Sequence, residues 1–144
     1  MTREFPSLRA FGRFIDGLRV RERISDEAAR SAVASTLVGK IQRRLGHEPL
    51  LMPELAASTQ AQRIRQGFAP RTTLLKTGRL RASYESAVLG RRETGLGSAL
   101  PEALSQEEGT SRIPARHPMA RTASESDREL FALYVKLYRH FMHL

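Results

Sequence analysis

With 144 residues, 40% of them hydrophobic, the chain has the material for one domain around a modest core. Its formal charge of +9, from 24 Lys and Arg against 15 Asp and Glu, favours anionic partners without naming one. There is no cysteine, which excludes disulfides, thiolate metal sites and a cysteine nucleophile.

Apart from Lys40, Lys76 and Lys136 the basic residues are all arginine. That bias suits forked contacts to carboxylate or phosphate, and GC-rich codon usage produces the same ratio. Residues Met1 to Val20 are interrupted by Arg3, Arg9, Arg13 and Arg19, so they lack the apolar run of a signal peptide, and no stretch nears a membrane span. The expected setting is the cytoplasm, or a particle assembled there, with no membrane partner.

In chain order, Phe5, Leu8, Phe11, Ile15 and Leu18 recur at helical spacing and predict an N-terminal helical segment over 1–24, weakened by Gly12 and Gly17. Ser25 followed by Asp26 and Glu27 reads as the N-cap of a second helix. Val33, Leu37, Ile41 and Leu45 form its face, Arg43 and Arg44 its last turn and Gly46 its C′ residue. Pro49 and Pro53 punctuate the chain, and Pro53 suits the first turn of a mostly polar helix to about Gln66. So polar a helix needs something packed on it, and 53–76 is expected as a flexible arm or loop.

From Leu80 the period changes to two, with Leu80, Ala82, Tyr84 and Val88 on one side of a strand. Gly90, Arg91 and Arg92 turn the chain, and Thr94, Leu96, Ser98 and Leu100 continue the alternation, giving a hairpin at about 80–100. Pro101 to Glu108 predicts a short helix closed by Gly109, and 110–123 an extended loop or edge strand. Ser126 with Glu129 makes a capping-box pattern, and Leu130, Leu133, Tyr134, Leu137, Tyr138 and Phe141 form the stripe of a terminal helix over about 126–143.

Candidate chemistry is thin. His140 and His143 share a helix face but lack a third ligand in any recognisable pattern, and His47 and His117 have no triad partner that spacing identifies. Glu102, Glu107 and Glu108 read as a solvated face or an inter-subunit salt-bridge surface. A helix-turn-helix reading of 25–45 and 53–66 fails on the connection His47 to Met52, too long for that motif's turn. The expectation is a protein without catalytic residues, cofactor or metal.

Two segments in fixed order carry the positive signal: Leu74-Leu75-Lys76-Thr77-Gly78-Arg79-Leu80-Arg81-Ala82-Ser83, then Glu107-Glu108-Gly109-Thr110-Ser111-Arg112-Ile113-Pro114-Ala115-Arg116-His117-Pro118. They resemble the small phage virion-morphogenesis and tail-completion proteins, which include tail terminators and head-tail joining proteins. The family pattern is a "TG-L-SI" stretch entering a strand, then "Y-----E-GT---PARPF" before a C-terminal helix. This chain departs from it at Glu108, where the family has an aromatic, and at His117-Pro118-Met119.

The resemblance covers roughly 50–144 and implies a structural virion protein at the head-tail junction or tail end. Its subunits would form a ring, a hexamer, that caps the tail tube protein and joins it to a head-side neck or stopper protein, with genomic DNA passing through. The alternatives are a head-side stopper or adaptor, or a basic nucleic-acid-binding accessory protein. The subunit contacts would use Thr77, Gly78, Arg79, Gly109, Thr110, Arg112, Pro114 and Arg116, with Arg112 and Arg116 offering forked donors to a neighbour. The fold expected is α+β, one domain over 1–144, a small antiparallel sheet packed by the 25–45 and 126–143 helices.

Overall fold

A computed structural model of the chain describes residues 5–47 and 53–143. They form α1 (Leu8–Arg44), α2 (Ala57–Arg65), α3 (Arg79–Ala82), β1 (Tyr84–Gly90), β2 (Glu93–Ser98), α4 (Pro101–Glu108) and α5 (Pro118–His143). The class is α+β, with a two-stranded antiparallel hairpin and a C-terminal helix. Pro49 and most of the His47 to Met52 connection lie outside the described residues, as does the start of the 1–24 segment.

The first two expected helices are one. The Ser7 hydroxyl caps α1 by accepting from the Ala10 N–H at 3.2 Å, and the helix then runs 37 residues, about 55 Å. Ser25 is no cap: it sits mid-helix and is 1% exposed. No proline or glycine stands between Leu18 and Val38, and the Arg, Glu and Ala there favour helix, so the chain has no reason to stop. Asp26 pairs with Arg30 one turn on (3.0 Å) instead of facing a helix end. The C-terminal stop is where the pattern put it, with Gly46 at φ 85°.

α5 runs antiparallel to α1. Arg44 reaches Thr122 and Glu125, Lys40 meets Glu129 at 2.5 Å, and Asp26 accepts from the Tyr134 hydroxyl at 2.7 Å. The hairpin lies on α1 as well, held by Gln42 Nε2 donating to the Tyr84 carbonyl at 3.1 Å. The core fills the angle between them: Leu37, Val38 and Ile41 of α1 and Leu45 just after it meet Leu74, Tyr84, Ala103 and Leu130.

The hairpin starts later than expected. Gly78, at φ 81°, lets the chain enter the single turn α3, where the Ala82 N–H donates to the Gly78 carbonyl at 2.9 Å, so Leu80 and Ala82 are helical. Pairing then runs from Tyr84↔Ser98 to Val88↔Thr94, with a register shift before the Arg91-Arg92 turn.

α5 also starts earlier than Ser126, which is buried inside it. Pro118 opens the helix, where its missing N–H costs nothing. The orphan donors of the first turn are met from another element: the Glu107 carboxylate of α4 accepts from the Met119 and Ala120 N–H groups at 2.9 and 2.8 Å. Glu107 is therefore a cap, not a solvated or inter-subunit acid, and Glu129 pairs with Lys40 instead of completing a capping box.

Candidate functional site

The two signature segments do converge. Thr77, Gly78 and Arg79 from the first and Arg116 from the second border a cleft of about 330 Å3, with Arg63 of α2 joining them. Arg63 is 8% and Arg116 5% exposed. Arg63 Nη1 donates to the Thr72 carbonyl at 2.7 Å, with longer contacts to the Ala69 and Leu75 carbonyls. Arg116 donates through Nη1 to Gln106 Oε1 at 2.8 Å and through Nε to the Pro53 carbonyl at 3.2 Å. In the 53–76 stretch, the expected polar helix is present as α2, and these ties wrap the loop after it on a guanidinium.

Burial pushes both guanidiniums below their usual value, and the charge of Arg63 pushes Arg116 further. Leu74, on the same cleft, is held at φ 62°, a left-handed conformation that a leucine keeps only when its surroundings impose it. Burial of that side chain in the core supplies the constraint.

The remaining signature residues lie outside the cleft lining. The Thr110 N–H donates to the Ile113 carbonyl at 2.8 Å, making a tight turn after Gly109, and Thr110, Arg112 and Pro114 are exposed on it. The backbone N–H of Arg116 returns to the Gln106 carbonyl at 2.8 Å. The Arg112 side chain is exposed, whereas Arg116 faces inward and gives its Nε and Nη1 to its own chain.

No family model, curated protein or solved structure matches this chain.

A second concavity lies along the middle of α1. It is a groove of about 950 Å3 between the Arg19, Arg23 and Arg30 stripe of α1, the Arg91-Arg92 turn, and Tyr134 and Tyr138 of α5. Arg30 organises it, donating to Asp26, to Thr94 Oγ1 at 3.2 Å and to the Arg91 carbonyl at 3.0 Å. Burial raises the Asp26 carboxyl, but hydrogen bonds from Tyr134 and Arg30 and the charges of Arg30 and Arg92 outweigh it, so its pKa is lowered. The bond to Asp26, then burial, pushes Tyr134 up to about 12.

The stability this pair contributes is therefore full above the unfolded Asp value of about 4 and is lost as pH falls through the lower folded value. On the alkaline side it is present below the unfolded Tyr value of about 10 and fades as pH rises through the folded one. Tyr134→Phe should cost about 1–2 kcal/mol in urea unfolding at pH 7, and its deficit should shrink on acidifying below pH ~4.

Arg63, Gln106 and Glu107 are the residues that sequence reading missed. Each acts on the loop or element that follows its own, beyond the reach of a helical or strand period, and a polar residue on a polar helix carries no local mark of burial. Among the described residues no three His, Asp or Glu side chains gather to hold a metal, and no helix is long and apolar enough to cross a membrane. His140 and His143 are both exposed.

Proposed function

We propose that this chain is a structural subunit of a tailed phage or phage-like particle, acting at the head-tail junction or tail end as a tail terminator or tail-completion protein. The observation that supports an assembly role is surface left uncovered. The chain exposes 10323 Å2, whereas a compact monomer of 16.2 kDa exposes about 7,500 Å2. The N-terminal part of α1 carries exposed apolar side chains, and Phe141 near the end of α5 shares a shallow groove with its residues from Gly17 to Ala28. Leu8, Phe11, Val20 and Ile24 are exposed there, and apolar surface of that kind marks a protein contact.

The ordered pair of signature segments supports the particular assembly. In this reading subunits close a ring, a hexamer by the resemblance, through heterologous contacts. One face ends polymerisation of the tail tube protein and the other docks the head-side neck protein. The exposed Thr77, Arg79, Thr110, Arg112 and Pro114 serve as contacts, and the arginine groove faces DNA in the channel.

The test is electron microscopy of particles made without this gene. Tailless heads beside overlong tails single out a terminator, and normally joined particles refute the reading. A finer expectation follows for F11E/I24E, which places charge at two exposed apolar positions of α1. Incorporation into particles should fall at least tenfold by immunoblot, with the circular dichroism of the purified chain unchanged.

A further inference from the structure

The cleft between the signature segments holds an electrostatic imbalance. Two arginines, each more than nine-tenths buried as a residue, turn their guanidiniums to the same space, and neither has a carboxylate within ion-pair distance among the described residues. Lys76 and Arg79 add positive charge at the rim, against Glu102 alone. Buried charge left without a counter-charge is costly, and a fold that needed only packing here would do as well with apolar side chains.

The donors are also incompletely used. Arg63 engages its carbonyls through Nη1, and Arg116 uses Nε and Nη1. That leaves Arg63 Nε and Nη2 and Arg116 Nη2 with no acceptor among the described residues. These nitrogens are not sealed away, since among the described side chains the buried polar atom without a partner is the Tyr84 hydroxyl. Planar donors opening on one cleft match the forked geometry that binds a carboxylate or another oxyanion.

The rest of the lining selects among oxyanions. Leu55, Leu74, Leu80 and Leu100 make the other walls, so an occupant gains from an apolar part beside its charge. A volume of about 330 Å3 suits a side chain or two, not a nucleic-acid strand. We infer that this cleft is a receptor for an acidic, partly apolar segment of another protein, whose carboxylate bridges Arg63 and Arg116 while an adjacent apolar group lies against the leucines. The inference rests on the assembly reading for who supplies the segment, but the chemistry of the cleft stands on the isolated chain.

The test titrates the whole chain at constant ionic strength with hexanoate, acetate, inorganic phosphate and hexylammonium. The readout is the Nε–Hε resonances of Arg63 and Arg116. Hexanoate should give saturable shifts and bind at least fivefold more tightly than acetate, and hexylammonium should leave both resonances in place. K76E/R79E, at exposed rim positions, should weaken hexanoate at least tenfold with unchanged circular dichroism. R91E/R92E, the same charge change at the hairpin turn, should weaken it less than twofold.

Tighter binding of phosphate than of hexanoate would overturn the inference in favour of a small inorganic anion. Equal losses in the two double variants would reduce it to a general field, and absence of any saturable shift would remove the receptor. None of these results touches the particle phenotype, and normally joined particles would leave the cleft chemistry intact.

Discussion

Arg116→Ala should lower the stability of this protein by about 3 kcal/mol, read as a lower urea midpoint at unchanged slope. The signature segment alone predicts a different outcome, weakened assembly on an intact fold, because an arginine in an extended loop reads as a contact for a neighbour. The structure turns the side chain inward. Its removal strands Gln106 Oε1 and the Pro53 carbonyl, both acceptors for a buried charged donor. Hydrogen bonds to charged groups contribute about 1.5–3 kcal/mol each, and relief of the repulsion from Arg63 returns part of that. Arg116→Met, which keeps the stem, separates lost packing from lost donors. A midpoint unchanged in both variants would place the guanidinium outside the fold.

Gly109→Ala should be at least as damaging, at about 3–4 kcal/mol. Gly109 closes α4 at φ 79°, ψ 174°, a region essentially confined to glycine. An added Cβ would stand 2.8 Å from the Ala115 nitrogen and 3.0 Å from the Ile113 carbonyl oxygen, backbone atoms that cannot swing aside. Backbone strain and overpacking therefore add. Gly78 provides the internal control: its φ is 81° but a Cβ there meets nothing within 4 Å, so Gly78→Ala should cost only about 1 kcal/mol. Thermal unfolding should show a drop of roughly 10 °C for the first and a few degrees for the second. Equal drops would mean that the contact with the 113–115 backbone is absent.

These two residues show where sequence reading succeeds and where it stops. Gly46 at the end of α1, Gly109 after α4 and the Arg91-Arg92 turn are local signals, because glycine's freedom and turn geometry act over three or four residues. The same local logic misplaced two helix starts. Ser25 and Ser126 carry the side chain a cap needs, but a cap forms only where something ends the preceding helix, and nothing does so at either point. Instead both serines are buried within their helices, α1 and α5. The true opening of α5 depends on Glu107, and that bond crosses between elements. In the candidate site, Thr77, Gly78, Arg79 and Arg116 were legible as a signature, whereas their meeting with Arg63 was not. The helix from Pro53 to about Gln66 was legible, but a polar helix gives no periodicity that marks its single buried side, so what packs on α2 was not.

The antiparallel pairing of α1 with α5 has a consequence for how the chain is made. Tyr134 and its partner Asp26 are 108 positions apart, so α1 leaves the ribosome long before the helix that covers it. At synthesis rates of about 5–20 residues per second, that interval lasts roughly 5–20 s. Throughout it the growing chain carries a long helix with its α5-facing side bare, and the hairpin can cover only part of it. Nascent chains of this protein are thus held most at risk of premature association at the surface that the last helix is due to occupy. A chain truncated before Pro118 should expose the core side chains of α1 that Leu130 covers and associate more readily than the full chain.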